Sequence, residues 1–135
     1  MDRGSSSRND DTYVARPDRA KMANDLNADA FISIHANSVI NAPTARGTET
    51  YYYKDDSKSL ATIMHKHLLE GTQLKDRQVR NNNFEVLRLS NMPATLLEVG
   101  FLSNAEEEAL LFTEDFQNRV ARSIVDGIKE YFGIN

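Results

Sequence analysis

Phe31-Ile32-Ser33-Ile34-His35-Ala36-Asn37 is a short apolar run that carries one histidine and one asparagine to its end. Its length and its isoleucines read as a strand. In open α/β sheets ligands bind at the carboxyl ends of strands, which makes His35 a candidate metal ligand or acid/base. A second run ends the same way. Ala94-Thr95-Leu96-Leu97-Glu98-Val99-Gly100-Phe101 is nearly all apolar yet holds one carboxylate, Glu98. Burying a carboxylate among apolar side chains costs on the order of several kcal/mol unless a charged or hydrogen-bonding group meets it. Two such residues, at the ends of two apolar strands, point to one shared site. The residues alone leave open a satisfied strand-end histidine and a structural ion pair between Glu98 and an arginine or lysine.

Length and composition narrow the classes. A chain of 135 residues fits one domain, long enough to bury roughly two-thirds of its unfolded surface in a single core. Its 20 acidic and 16 basic side chains give a formal net charge of -4, which argues against a general nucleic-acid or anionic-membrane surface. No apolar stretch reaches the roughly 18 to 20 residues of a membrane span, and the start, Met1-Asp2-Arg3-Gly4-Ser5-Ser6-Ser7, has no apolar signal-peptide core. Cysteine is absent, which excludes disulfides, thiolate metal sites and cysteine nucleophiles.

Along the chain, the polar residues 1–11 read as a disordered or trimmed end. Pro17 suits the first turn of a helix whose stripe is Ala20, Met22, Ala23 and Leu26. The strand from Ala30 to His35 follows, then a loop over 36–47 with Asn37, Asn41, Pro43 and Gly47. Thr48 to Tyr53 reads as a strand with Glu49 on the face opposite Thr50 and Tyr52. Ser57 is placed to cap a helix bearing Leu60, Ile63, Met64, His67 and Leu68 that ends near Gly71. His65 and His67, two apart on that helix, project about 200° from each other and share no metal, so both read as surface or groove-edge residues.

Residues 77–83 read as a polar connection and Phe84 to Leu89 as a strand. Ser103 with Glu106 suggests a capping box for a short helix. Phe116, Val120, Ile124, Ile128 and Phe132 mark the clearest amphipathic helix. Alternating helices and strands favour an α/β sheet with helices on its faces.

Taken together these stretches resemble a known family, the zinc-dependent N-acetylmuramoyl-L-alanine amidases of bacterial cell-wall turnover with an amidase type 3 catalytic domain. The resemblance is carried by Ser7-Arg8-Asn9-Asp10-Asp11, Arg19, Ala23-Asn24, and Ala28 to Asn37. It continues in Gly47-Thr48-Glu49-Thr50-Tyr51-Tyr52, Val86-Leu87-Arg88, and Pro93 to Asn104. It implies a mostly parallel twisted sheet with helices on both faces, and residues 12–135 as the C-terminal portion of the catalytic domain. It also implies that the family's first strand, first helix and second strand precede the part matched here.

By that resemblance His35 matches a zinc histidine and Glu98 the catalytic glutamate that moves protons. Asn37 would help shape the site, and Arg77 would sit near the substrate groove. The implied cofactor is Zn²⁺, although the family's other zinc histidine and its zinc glutamate belong to the part that precedes Ser7. Where the family usually has Arg-Gly-Val, this chain has Arg77-Gln78-Val79. The implied partner is peptidoglycan, cleaved between N-acetylmuramic acid and L-alanine outside the cell or in its wall. No nucleic acid is implied, and a dimer through an exposed sheet edge is an expectation. The residues also leave open an inactive paralogue that only binds peptidoglycan or a partner.

Overall fold

The computed structural model describes residues 16–135. The expectation for residues 1–11 and the matching residues Ser7 to Asp11 lie outside them. Helix α1 (Arg16–Asp25) leads into β1 (Phe31–Asn37), followed by β2 (Thr48–Tyr52), α2 (Lys58–Thr72) and β3 (Asp76–Asn81). Then come α3 (Glu85–Arg88), β4 (Ala94–Phe101), α4 (Ala105–Leu111) and α5 (Glu114–Phe132). The strands form one four-stranded sheet in the order β1-β4-β2-β3. β1 runs parallel to β4 and β2 parallel to β3, and the central pair β2 and β4 is antiparallel. The sheet is thus mostly parallel, as expected.

Alternation along β4 sorts its side chains between two cores. Leu97 and Val99 join Leu60, Met64 and Leu68 of α2 and Phe116, Val120 and Ile124 of α5. Ala94 and Leu96 face the other way, onto Ala20 of α1 and Val86 and Leu87 of α3. Helices therefore cover both faces. Glu98 shares the α1/α3 side with Leu96, so it leaves the sheet away from the larger core.

Several local expectations change in the folded chain. Helix α1 buries only Ala20 and Ala23 of its stripe, while Met22 and Leu26 are exposed. Asn24 fixes this helix instead: its side chain donates to Leu89 O at 2.8 Å and accepts from Asn91 N at 2.8 Å. β1 is not fully buried. Ile34 is 56 % exposed and opens onto an apolar groove of about 470 Å³ lined also by Val99, Phe116, Val120 and Ile124.

Ser57 starts α2 without capping it, because its hydroxyl is taken by Ala94 N at 2.9 Å, which ties the head of β4 to the helix. The helix passes Gly71 and ends with Gln73 in the left-handed region at φ 60°. Gly71 is needed for close approach: a Cβ there would stand 2.6 Å from Ser123 Cβ of α5. Arg119 of α5 donates its Nε to Gly71 O at 2.6 Å, which satisfies a carbonyl at the end of α2.

Two segments exchange their expected roles. Residues 76–81 form the edge strand β3, whose polar side chains suit an edge half open to solvent. The stretch Phe84 to Leu89 holds the single turn α3, because Val86 and Leu87 are both buried, and consecutive residues cannot both face inward from a strand. At α4 the cap is Asn104, not Ser103: its side chain accepts from Glu107 N at 3.1 Å. Ser103 Oγ accepts from Val39 N at 3.1 Å.

Helix α5 starts at Thr113 as N-cap and stops at Gly133. A stripe repeated every fourth residue drifts about 40° per step, so Phe132 has rotated out to 41 % exposure while Ser123 and Gly127 enter the contact with α2. Gly71→Ala is expected to cost about 1–3 kcal/mol, read as a lowered urea midpoint with an unchanged slope. Ser123→Ala combined with it should recover part of the loss.

Candidate functional site

Register brings the two residues that opened the sequence together. His35 and Glu98 are paired positions on the adjacent parallel strands β1 and β4, and Glu98 is in turn paired with Glu49 of β2. Paired residues leave the same face of a sheet, at strand spacings of about 4.8 Å. His35, Glu98 and Glu49 therefore form a row across three strands on the α1/α3 side. His35 Nε2 meets Ser33 Oγ at 2.7 Å, and Oε2 of Glu98 is sealed from solvent.

Glu49 is the most heavily engaged member of the row. It is 1 % exposed. Its Oε1 accepts from Asn37 Nδ2 at 2.8 Å and from Tyr51 OH at 2.7 Å. Its Oε2 accepts from Arg77 Nε at 3.0 Å and stands 3.5 Å from Arg80 Nε. Charge-assisted bonds of this kind are roughly twice as strong as neutral ones, which is what allows a carboxylate to stay ionised when buried. Burial, with the bond to Glu49 second, pushes the Tyr51 phenol up to about 12. It remains a neutral donor.

Arg77 is further held by its guanidinium lying 4.9 Å from the centre of the Phe101 ring. Phe101 reaches that face because β4 bulges: His35 pairs with Glu98, but Asn37 pairs with Phe101. Asn37 and Arg77 thus join His35 and Glu98 on one patch through Glu49. Glu49 itself was legible as a strand residue facing away from Thr50, but its partners were not. Arg80 and Tyr51 carried no signal in the sequence beyond their alternation with Glu49.

The place where the resemblance sets glycine is a second bulge. Thr48 pairs with Asp76 and Thr50 with Val79, so β3 carries one extra residue, and Gln78 sits at φ 76°. The left-handed conformation that glycine adopts freely is kept here by a glutamine. Asp76 Oδ1 stabilises it by accepting from Gln78 N at 2.8 Å.

The same carboxylate oxygen stands 2.8 Å from His65 Nε2, and His65 Nδ1 stands 2.8 Å from Thr50 Oγ1. His65 is therefore buried, at 6 % exposure, and not a surface residue. An ionised Asp76 can only accept, so Nε2 donates to it. His67 stands apart, with Nε2 2.9 Å from Glu130 of α5.

At the far end of β1, the buried Glu107 accepts at Oε1 from Gly47 N at 3.1 Å and Phe101 N at 2.9 Å. This links α4 to the loop after β1 and to the end of β4. No local pattern pointed to it.

A family model described as N-acetylmuramoyl-L-alanine amidase matches residues 5–130. The chain belongs to this family. Among curated relatives, the chain is 37 % identical over 131 residues to the uncharacterized protein YqiI of Bacillus subtilis, covering 94 % of this chain and 63 % of that one. It is 37 % identical over 125 residues to the probable cell wall amidase LytH of Staphylococcus epidermidis, covering 93 % and 41 %. The chain thus spans less than two-thirds of these relatives' length.

Among solved structures, the catalytic domain of CwlV from Bacillus (Paenibacillus) polymyxa is 53 % identical with a TM-score of 0.91, over 95 % of this chain and 71 % of that one. An N-acetylmuramoyl-L-alanine amidase from Clostridium difficile is 44 % identical with a TM-score of 0.90, over 94 % and 70 %.

The family is zinc-dependent. Among the described residues, no group of three histidine, cysteine, aspartate or glutamate side chains stands together to hold a metal ion. His35 and Glu98 do not by themselves make a zinc site, since three protein donors are the usual minimum. Any further donors lie outside the described residues.

Two measurements test the geometry. The bond from His65 holds the Asp76 carboxyl below its ordinary value of 3.8. A depressed carboxyl stabilises the fold fully above its unfolded value, and that contribution is lost as pH falls from there through the folded value. Asp76→Asn should therefore lower the urea midpoint at pH 6, with the gap to the wild type closing below about pH 4. Gln78→Gly should raise stability by up to about 1 kcal/mol by relieving the left-handed strain, read as a higher midpoint.

Proposed function

We propose that residues 12–135 belong to a catalytic domain that hydrolyses the amide bond between N-acetylmuramic acid and the L-alanine of the peptidoglycan stem peptide. The observation that carries this reading is the register of His35 beside Glu98 on one face, with Asn37 and Arg77 joined to that face through Glu49. The family match and the names of the amidase relatives support it.

In this reading Glu98 is the catalytic acid/base. Amide hydrolysis needs a group that takes a proton from attacking water and returns one to the leaving nitrogen, and a carboxylate at the rim of an apolar strand is suited to both. His35 is a zinc ligand, Asn37 orients the end of β1, and Arg77 contacts substrate. Zinc, when bound, would supply Lewis acidity, and its remaining donors are not among the described residues.

Action outside the cell, on the wall, follows from this substrate and agrees with the naming of LytH as a cell wall amidase. Among the described residues no helix is long and apolar enough to cross a membrane. Within those residues β1 pairs only with β4, and this edge is the surface through which a second copy would add a strand.

Glu98→Gln is expected to lower release of stem peptide from purified cell wall by about 10²–10⁴-fold, with cell-wall binding retained, in a catalytic domain that includes this chain. Release that survives the substitution would take the proton-transfer role away from Glu98. Binding without release by the unsubstituted domain would favour the inactive paralogue instead.

A further inference from the structure

The bulge at Gln78 does more than accommodate one residue. In a regular strand Arg77 and Arg80, three apart, leave opposite faces. The extra residue shifts the alternation: Asp76 pairs with Thr48, Val79 with Thr50 and Arg80 with Tyr51. Arg80 then shares the face of Tyr51 and Glu49, and both guanidinium groups converge on Glu49 Oε2, at 3.0 and 3.5 Å. Arg80 is fastened a second time, by Nε donating to Arg77 O at 2.9 Å.

Two guanidinium groups therefore meet a single buried carboxylate, which leaves an excess positive charge at this end of the face. Both are oriented through Nε, so their outer ends are pre-set without further loss of side-chain freedom. Their side chains are 26 % and 49 % exposed, which makes them accessible to a ligand.

We infer that Arg77 and Arg80, brought to one face by the Gln78 bulge and oriented by Glu49, form a receptor for a carboxylate on the peptide part of the substrate. The inference rests on the amidase reading and deepens it. β3 lies two strand positions from β4, so the receptor stands about 10 Å from Glu98. An extended peptide advances about 3.3–3.6 Å per residue. With the cleaved bond at Glu98, the carboxylate belongs to the second or third residue of the peptide.

The test is binding of two soluble probes to the full chain by calorimetry: N-acetylmuramoyl-L-alanyl-glutamate with a free side carboxyl, and its counterpart with that carboxyl amidated. The free acid is expected to bind about tenfold more tightly, from the charge-assisted bonds it adds. Arg80→Gln should remove most of that preference while leaving the affinity of the amidated probe within about twofold, and Arg80→Lys should restore only part of it because a lysine lacks the planar fork. Deletion of Gln78 leaves Arg77 and Arg80 two apart in a regular strand and so on the same face, and should keep the preference. Should the deletion variant fail to fold, the Arg80 variants decide. Equal affinity for both probes, or a preference unchanged in Arg80→Gln, overturns the receptor and leaves the amidase reading standing. Failure of both probes to bind overturns both.

Discussion

The carboxylate of Glu49 is the group on which the functional face depends. It is buried on a central strand and is met by side chains from both sheet edges, accepting from Asn37 of β1 and Arg77 of β3 and forming an ion pair with Arg80 of β3. Tyr51 of its own strand completes the set. Each donor would otherwise be free to sample several rotamers, and a shared ionised acceptor removes that freedom in one place. Breaking such a buried charge cluster by removing one partner is costly because the remaining charge is left without compensation. The strand ends are thereby held in one arrangement, with Glu98 paired between His35 and Glu49.

Two bulges give this face its side chains. That in β4 lets Phe101 pair with Asn37 and lie beneath Arg77, and that in β3 turns Arg80 to the side of Arg77. A bulge breaks the period of two and so places on one face residues that a regular strand would separate. The β3 bulge is supported from the opposite side of the sheet, where Asp76 holds Gln78 N and His65 holds Asp76. The left-handed strain at Gln78 is local and small, and it lies beside the candidate site, as backbone strain often does.

The larger core has a separate task. Helices α2 and α5 meet closely through Gly71 and Ser123, and through Gly127 against Met64, which lets Leu60, Met64 and Leu68 reach β4. This packing fixes the height of the central strands, while the candidate site lies on the other side of the sheet, that of α1 and α3. The groove beside Ile34 marks where the core is open along β1. The larger core and the candidate site are thus divided between the two faces of one sheet.

Strong local patterns were readable from the chain alone. The apolar strands β1 and β4, the helix of Phe116 to Ile128, the alternation placing Glu49 away from Thr50, and the pairing of interest between His35 and Glu98 were all legible. Each rests on side-chain period or on the cost of burying a charge. Only the tertiary structure decided that the polar stretch after Asp76 is an edge strand, that Phe84 to Leu89 is a single helical turn, and that His65 is buried. Those outcomes are set by partners distant in the chain: Glu49 recruits the arginines, Val86 and Leu87 must both face α1, and Asp76 with Thr50 satisfies the imidazole. Local period carries no information about such partners, so the charged face of this sheet exists only once the strands are side by side.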